Sequence, residues 1–297
     1  MKKIAVIGSI NMDMTARAQR IPRPGETVSA ESLAYVPGGK GANQAVAAAR
    51  LGGDVAMFGL VGDDGFGPQL LENLRANGVN ADGVGVSPGV SSGLAMIVVA
   101  EGDNAITVIP GANALVTPAY LESVWPEIEK ADIALLQNEI PAETVLWAAQ
   151  RLHRAGKTVI YNPAPARPAE PALLDAVTYF TPNEHEARLV LGDETTALET
   201  LIARQGGKMI VTLGSRGIGA AEGGEYFRIP AIAAKVVDTT GAGDTMNGAF
   251  AAALAEGMDY ADALRFSNAA AGLATEKAGA QAGMPDRRAV MARLSEE

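Results

Sequence analysis

A chain of 297 residues, 48% of them apolar and 20% charged, has an ordinary globular composition and can bury one large α/β core or two modest ones. Its formal net charge of −10 argues against broad binding to nucleic acid or an anionic membrane, although local backbone dipoles can still favour a small anion. The absence of cysteine excludes disulfides, thiolate metal sites and thiol catalysis, and His153 and His185 alone cannot build a His-rich zinc site.

The first run, "KIAVIG", is apolar and β-branched, as a buried parallel strand requires. It meets polar Asn11 and Asp13 too soon for a signal peptide or a membrane span, so we read a soluble, cytoplasmic protein. Residues 14–37 mix polar and apolar types, contain Pro22, Pro24 and Gly25, and have no helical period. "GANQAVAAARLGG" then reads as a helix ending at Gly52, "VAMFGLVG" (Val55–Gly62) as a strand, and "PQLLENLRANG" as a helix ending at Gly78. Residues 91–110 read as two strands joined by a turn around Gly102–Asp103. Further strands are predicted at Ala131–Gln137, Lys157–Pro163, Val177–Asn183 and Lys208–Gly214. "PAETVLWAAQRLHRAG" is a helix with Pro141 near its start and a basic last turn before Gly156. This alternation predicts an α/β fold with a mostly parallel central sheet and helices on both faces. The two irregular segments read as a small accessory β-sheet inserted at two places into a single 1–297 body.

Several glycine-rich stretches are decoys. "HRAGKT" has Arg151 where a phosphate loop needs glycine, and a strand follows it where a helix is required. "GLVGDDGFG" and "GSINMD" lack the Gly-x-Gly-x-x-Gly spacing, so a nicotinamide-type oxidoreductase is unsupported. "VPGGKGANQAVAAAR" places Gly38, Gly39 and Gly41 before a helix that carries Lys40 and Asn43. Bare backbone beside an ammonium and an amide suits a hydroxyl-rich ligand, or is a flexible turn and a helix start.

"VVDTTGAGDTMNGAFAAALAEG" carries the chemistry. If Ala242, Gly243 and Asp244 open a helix, their amides and the helix dipole favour an anion, and Gly241 and Gly243 let a phosphoryl oxygen approach. Asp244 would repel that anion unless it faces a hydroxyl and removes its proton during attack on phosphorus; the alternative is a helix-capping aspartate. In "NEHEARLVLG", Asn183 and Glu186 lie three residues apart on one predicted helix face. They suit hydrated magnesium beside phosphates, or a solvated helix start, with His185 at the surface.

Together "GSINMD", "PGGKGANQAVAAARLG", "GLVGDDGFG", "NPAPAR", "TPNEHEA", "TLGSRG" and "DTTGAGDTMNGAF" resemble, over essentially the whole chain, the ribokinase-like (PfkB) family of sugar kinases. The resemblance implies ATP-dependent transfer of the γ-phosphoryl group to a primary hydroxyl of a sugar, for ribose the 5-hydroxyl. Asp244 matches the family's catalytic base, and Gly241, Ala242 and Gly243 its anion hole. Sugar contacts would fall to Asn11, Asp13, Gly39, Lys40, Asn43 and Glu139. Asn183, Thr212, Gly214, Gly217, Gly243 and Asn268 would form the nucleotide site, with Glu186 linked indirectly to Mg2+. The irregular segments match a β-sheet lid that also makes a homodimer contact. For an activating K+, Asp238 and Thr240 match one side of the family's site and Ala274, Lys277 and Gly279 the other. Gly283 stands where the family commonly carries serine. Within the same chemistry, a kinase for deoxyribose, fructose or a nucleoside is the alternative. Asn11 and Asp13 favour a hydroxyl-dense sugar, and Tyr35 is the one aromatic the two segments offer a base. A non-catalytic binding module has no use for Asp244 beside a phosphate.

Overall fold

The computed structural model describes residues 1–101 and 103–296, so the Gly102 half of the turn expected at Gly102–Asp103 lies outside the described residues. The chain opens with β1 (Lys3–Ile7), β2 (Asn11–Ala18), β3 (Ala30–Gly38) and α1 (Lys40–Arg50). There follow β4 (Asp54–Gly62), α2 (Gly67–Ala76), β5 (Val84–Ser87), β6 (Gly93–Ala100) and β7 (Asp103–Ile109). A short 3-10 turn (Gly111–Leu115) leads to α3 (Pro118–Ile128), β8 (Ile133–Gln137), α4 (Ala142–Arg154) and β9 (Thr158–Asn162). Next come α5 (Pro171–Ala176), β10 (Tyr179–Phe180), α6 (Glu184–Leu191), α7 (Leu198–Arg204), β11 (Val211–Thr212), β12 (Ile218–Glu222) and β13 (Glu225–Ile229). The C-terminal part is helical: α8 (Ala242–Glu256), α9 (Tyr260–Ala274), α10 (Ala280–Gly283) and α11 (Arg287–Ser295).

Six strands pair in parallel in the order β10-β9-β8-β1-β4-β5. The side-chain period of two then feeds two cores. Ile4, Val6, Val55, Met57, Ile133 and Leu135 face α1, α8 and α9, while Ala5, Ile7, Phe58, Ala134 and Leu136 face α3 and α4. Helices therefore cover both faces, as the continuous apolar strands require. Helix α8 is buried nearly all round, which explains its run of alanines: a bulkier helix would not fit between α1 and α9.

Two expected strands are shorter than predicted. Of 177–183 only Tyr179–Phe180 is regular, and of 208–214 only Val211–Thr212. Pro182 has no amide to continue a ladder, and the chain turns into α6 directly after Asn183. Parallel bridges Phe180–Met209 and Asn183–Thr212 still carry the sheet across to the antiparallel β11-β12-β13.

The irregular segments form a separate four-stranded sheet, ordered β3-β2-β6-β7. It begins at Asn11, earlier than predicted, because β2 pairs with β3 and β6 from its first residue. The carboxyl ends of β1, β8, β9 and β10 point toward the N-termini of α1 and α8. Open α/β sheets bind ligands at that end.

Candidate active site

Helix α1 starts where β3 returns to the body. Gly39 caps it with φ 87°, and a side chain there would meet the Asn11 amide nitrogen at 2.8 Å, so only glycine allows this approach to the β1–β2 connection. Glu139, arriving just after β8, accepts from the Ser9 hydroxyl at 2.6 Å and from the Lys40 amide at 2.9 Å. A carboxylate thus sits at the positive end of α1.

Lys40 is the cation among the charged candidates around this helix start. Burial opposes its charge, but the carboxylates of Asp244, Glu139, Glu186 and Asp13 outweigh it and raise the lysine above its usual value. Burial, with Glu139 and Asp244 adding to it, pushes the Asp13 carboxyl up to about 6 against the pull of Lys40. Asn11 is buried, and its Oδ1 accepts from Asn113 Nδ2 at 2.7 Å. All six expected sugar contacts therefore collect at the α1 N-terminus, Asn43 in its first turn with its amide donating to the Gly39 carbonyl.

Asn43 differs in detail. Its Nδ2 donates to Asp244 Oδ2 at 3.0 Å and its Oδ1 accepts from Gln281 Nε2 at 3.0 Å, so both ends of the amide are engaged by protein. Gln44 Nε2 donates to the other carboxylate oxygen, Oδ1, at 3.1 Å. Asp244 is therefore not the helix cap of the alternative reading. Gly241 caps α8 in the left-handed region, at φ 78°, and no side chain bonds there. Burial pushes the Asp244 carboxyl above the usual carboxylate range and Glu139 adds to the effect, while Lys40, Asn43 and Gln44 restrain it.

The Ala242 amide is partly withdrawn from the expected anion hole, because it donates to the Thr239 carbonyl at 3.2 Å. Thr245 is the first amide to fold back into the helix, onto Gly241 O at 2.8 Å. Among the described residues, the amides of Gly241, Gly243 and Asp244 have no acceptor, so the open donors include Asp244 and not Ala242. They point where the helix dipole also favours negative charge.

A cavity of about 770 Å³ adjoins this helix mouth, lined by Asn183, Thr212, Gly214, Gly217, Gly243 and Asn268, all expected nucleotide contacts. Val236, Ile232, Ala234 and Ala271 supply an apolar wall. Asn268 is fixed by its bond to the Pro230 carbonyl at 2.7 Å. Asn183 is not within the helix as predicted but caps α6. Its Oδ1 accepts from the Glu186 amide and Glu186 Oε2 accepts from the Asn183 amide, both at 2.8 Å, a reciprocal capping box. The helix-start reading of this motif is thus realised. Burial raises the Glu186 carboxyl above its ordinary value against the pull of the Asn183 amide and Lys40. Among the described residues no three acidic or histidine side chains gather as a metal cage. The donor set instead fits an ion that arrives on phosphates and meets a single carboxylate.

The residues matched to a cation site are also brought together. Asp238 Oδ1 accepts from the Thr240 amide at 2.9 Å and Oδ2 from the Gly279 amide at 2.8 Å, lacing the two loops. A Cβ on Gly283 would collide with the Ala274 carbonyl oxygen and lie 3.3 Å from that of Lys277. Two of the expected carbonyls therefore converge beside Gly283, and a serine there would require the loop to move. Sequence reasoning missed Gln44, Gln281 and Asn113, each of which holds an expected site residue.

The sequence matches the model of the pfkB family of carbohydrate kinases over residues 1–287. It is 50% identical to the ribokinase of Bacillus subtilis over 99% of this chain and 100% of that protein. It is 48% identical to the ribokinase of Lactococcus lactis over 100% and 98% of the two chains. The solved structure of Arabidopsis thaliana ribokinase complexed with ribose and ATP superposes with a TM-score of 0.91 at 34% identity, covering 99% of this chain and 98% of that one. A helix mouth with open amides, a buried carboxylate beside it and a matching sequence from end to end lead to one assignment: the chain belongs to the pfkB family of carbohydrate kinases.

Proposed function

We propose that the protein is an ATP-dependent ribokinase that phosphorylates the 5-hydroxyl of D-ribose. One observation carries this reading: Asp244 is buried, accepts hydrogen bonds on both oxygens, and lies between the cluster of Asp13, Lys40 and Glu139 and the cavity lined by its neighbour Gly243. Ribose would be held by Asn11, Asp13, Gly39, Lys40 and Glu139, with Asn43 reaching it beside the carboxylate it supports. ATP would occupy the 770 Å³ cavity, its base against the apolar wall. Asp244 takes the hydroxyl proton as the ribose oxygen bonds to the γ-phosphorus. The bond from that phosphorus to the oxygen it shares with the β-phosphate breaks, and ADP leaves with the electron pair. The open amides of Gly241, Gly243 and Asp244 stabilise charge on the migrating group. Magnesium, when bound, neutralises phosphate charge, and Glu186 is the side chain that would meet it.

Four further assignments belong to this reading. The β3-β2-β6-β7 sheet serves as a lid on a single 1–297 domain, and it excludes water as a competing acceptor. Its exposed apolar side chains pack against a second copy of the chain. A monovalent cation, K+ by preference, sits among the Asp238, Thr240, Ala274, Lys277 and Gly279 loops without a serine hydroxyl from position 283. A protein that uses cytoplasmic ATP works in the cytoplasm, and among the described residues no helix is long and apolar enough to cross a membrane.

The test is ADP release over a panel of pentoses, hexoses and nucleosides, with K+ present or replaced by an organic cation. D-ribose is expected to give the highest kcat/KM and K+ to raise kcat several-fold. Preference for 2-deoxyribose or a nucleoside overturns the ribose assignment. Asp244→Asn is expected to bind ribose and ATP yet lose about 10²–10⁴-fold in kcat. Near-normal turnover by that variant removes the base.

A further inference from the structure

Two arms of side-chain amides donate inward to Asp244, and the shorter of them shares its last donor, Gln44 Nε2, with Asn162 Oδ1 at 3.2 Å. From the periphery inward, Arg50 Nε donates to Asn77 Oδ1 at 2.9 Å, and Asn77 Nδ2 to Asn73 Oδ1 at 3.3 Å. Asn73 Nδ2 donates to Gln281 Oε1 at 2.8 Å, Gln281 Nε2 to Asn43 Oδ1 at 3.0 Å, and Asn43 Nδ2 to Asp244 Oδ2 at 3.0 Å. A shorter arm reaches the second oxygen: Gln137 Nε2 donates to Gln44 Oε1 at 2.7 Å and Gln44 Nε2 to Asp244 Oδ1 at 3.1 Å. The longer arm thus runs from the C-terminal end of α1 through α2 and α10 back to the first turn of α1 and on to α8.

Its direction is set at both ends. A guanidinium can only donate, so Asn77 turns its oxygen outward and its nitrogen inward, where it donates to the Asn73 main-chain carbonyl at 2.8 Å as well as to Asn73 Oδ1 at 3.3 Å. At the inner end an ionised carboxylate can only accept. Flipping any amide would set donor against donor on one side and acceptor against acceptor on the other. Protonating Asp244 on Oδ2 would likewise aim a hydroxyl hydrogen at the Asn43 donor. Aligned amides also polarise one another, which strengthens the last bond.

We propose that Arg50, Asn77, Asn73 and Gln281 are positioning residues that act through Asn43 to keep the Asp244 carboxylate ionised and aimed. This rests on Asp244 being the base. The charged groups facing that carboxylate come from four other elements or loops: Lys40 at the start of α1, Glu139 after β8, Asp13 on β2 and Glu186 on α6. None belongs to the chain, so removing a chain amide leaves this electrostatic setting in place.

The experiment compares pH profiles of kcat for Gln281→Met, Asn73→Ala and their double variant, with thermal melts to confirm folding. Gln281→Met is expected to lower kcat about tenfold, as the loss of the hydrogen bond that steadies the Asn43 donor implies, and to move the acidic limb about one pH unit upward. Asn73→Ala, at a half-buried position on α2, is expected to lower kcat about threefold with a smaller shift of the same sign. KM for ribose and ATP should stay within about twofold throughout. The double variant should match Gln281→Met alone, because residues in one chain are not additive. An unmoved acidic limb, or single effects that multiply, overturns the chain. If Gln281→Met fails to fold, Asn73→Ala paired with Asn77→Ala makes the same test, whereas Arg50 also donates to the Gln281 and Met284 carbonyls and would not isolate the relay. An inactive Asp244→Asn beside wild-type behaviour of the amide variants rejects the chain but keeps the base. An active Asp244→Asn rejects both.

Discussion

Around the α1 N-terminus, Asp13, Glu139, Glu186 and Asp244 share the field of Lys40, and their crowding has a measurable consequence at Asp13. Its carboxyl is raised from 3.8 to about 6, first by burial and then by Glu139 and Asp244. A raised acid in the folded state costs stability wherever it is ionised there, fully above pH 6, and the cost fades as pH falls from 6 toward the ordinary value. Asp13→Asn should therefore raise the unfolding temperature of the ligand-free protein at pH 7.5, with the gain shrinking toward pH 4. In the proposed reading ribose needs the opposite state, since an ionised Asp13 would accept two hydroxyls and a protonated one fewer. We expect wild-type kcat/KM for ribose to fall below pH 6, and Asp13→Asn to lose tenfold or more at pH 7.5 with that limb flattened. A variant less stable than wild type at pH 7.5 would contradict the cause assigned here. The same residue would then weaken the fold and serve the proposed sugar site, a common trade between stability and activity.

At the scale of elements, the joint between the two sheets is held by Asn113, buried in the short turn that follows β7. Its Oδ1 accepts from the Ile10 amide at 2.9 Å and its Nδ2 donates to Asn11 Oδ1 at 2.7 Å, so the return of one inserted segment fixes the departure of the other. Asn113→Ala leaves a buried amide and a buried carbonyl unpaired, at about 1–3 kcal/mol each. Titrations should show ribose KM rising about tenfold with ATP KM unchanged; an equal rise in both would mean Asn113 only supports the fold. These joints also mark where sequence reading stopped. β1, β4, β8, β9, α1 and α8 were legible because apolar runs, glycines and small residues declare local geometry. Asp244 was legible because a carboxylate at a glycine-rich helix mouth needs a reason. Asn113, Gln44 and Gln281 were not, since their partners lie 102, 200 and 238 residues away and nothing local selects them. The Asn183–Glu186 pair was half legible: its spacing fits a capping box as well as an ion, and the fold satisfies the box.

For the whole molecule, the question is what covers the four-stranded sheet. Strand β7 is exposed along its length, and an open apolar edge and face invite association. Register assigns the faces: Asp13 lies level with Ala95 and Val108, and Thr15 with Ile97 and Ile106, so Ile106 and Val108 share a face with Asp13. Both are about half exposed, at 55% and 50%. Two copies each carrying a net charge of −10 repel at long range, so the proposed contact would have to come from apolar burial and should strengthen as salt screens the charge. A second sheet laid on this face would close the region around Asp13 from above. Ile106→Lys combined with Val108→Lys should therefore shift sedimentation equilibrium from dimer to monomer, and the monomer should bind ribose more weakly while retaining ATP affinity. A double variant that remains dimeric would move the interface elsewhere. A monomer with wild-type ribose affinity would separate association from sugar binding, leaving Asp13 to be shielded by its own sheet alone.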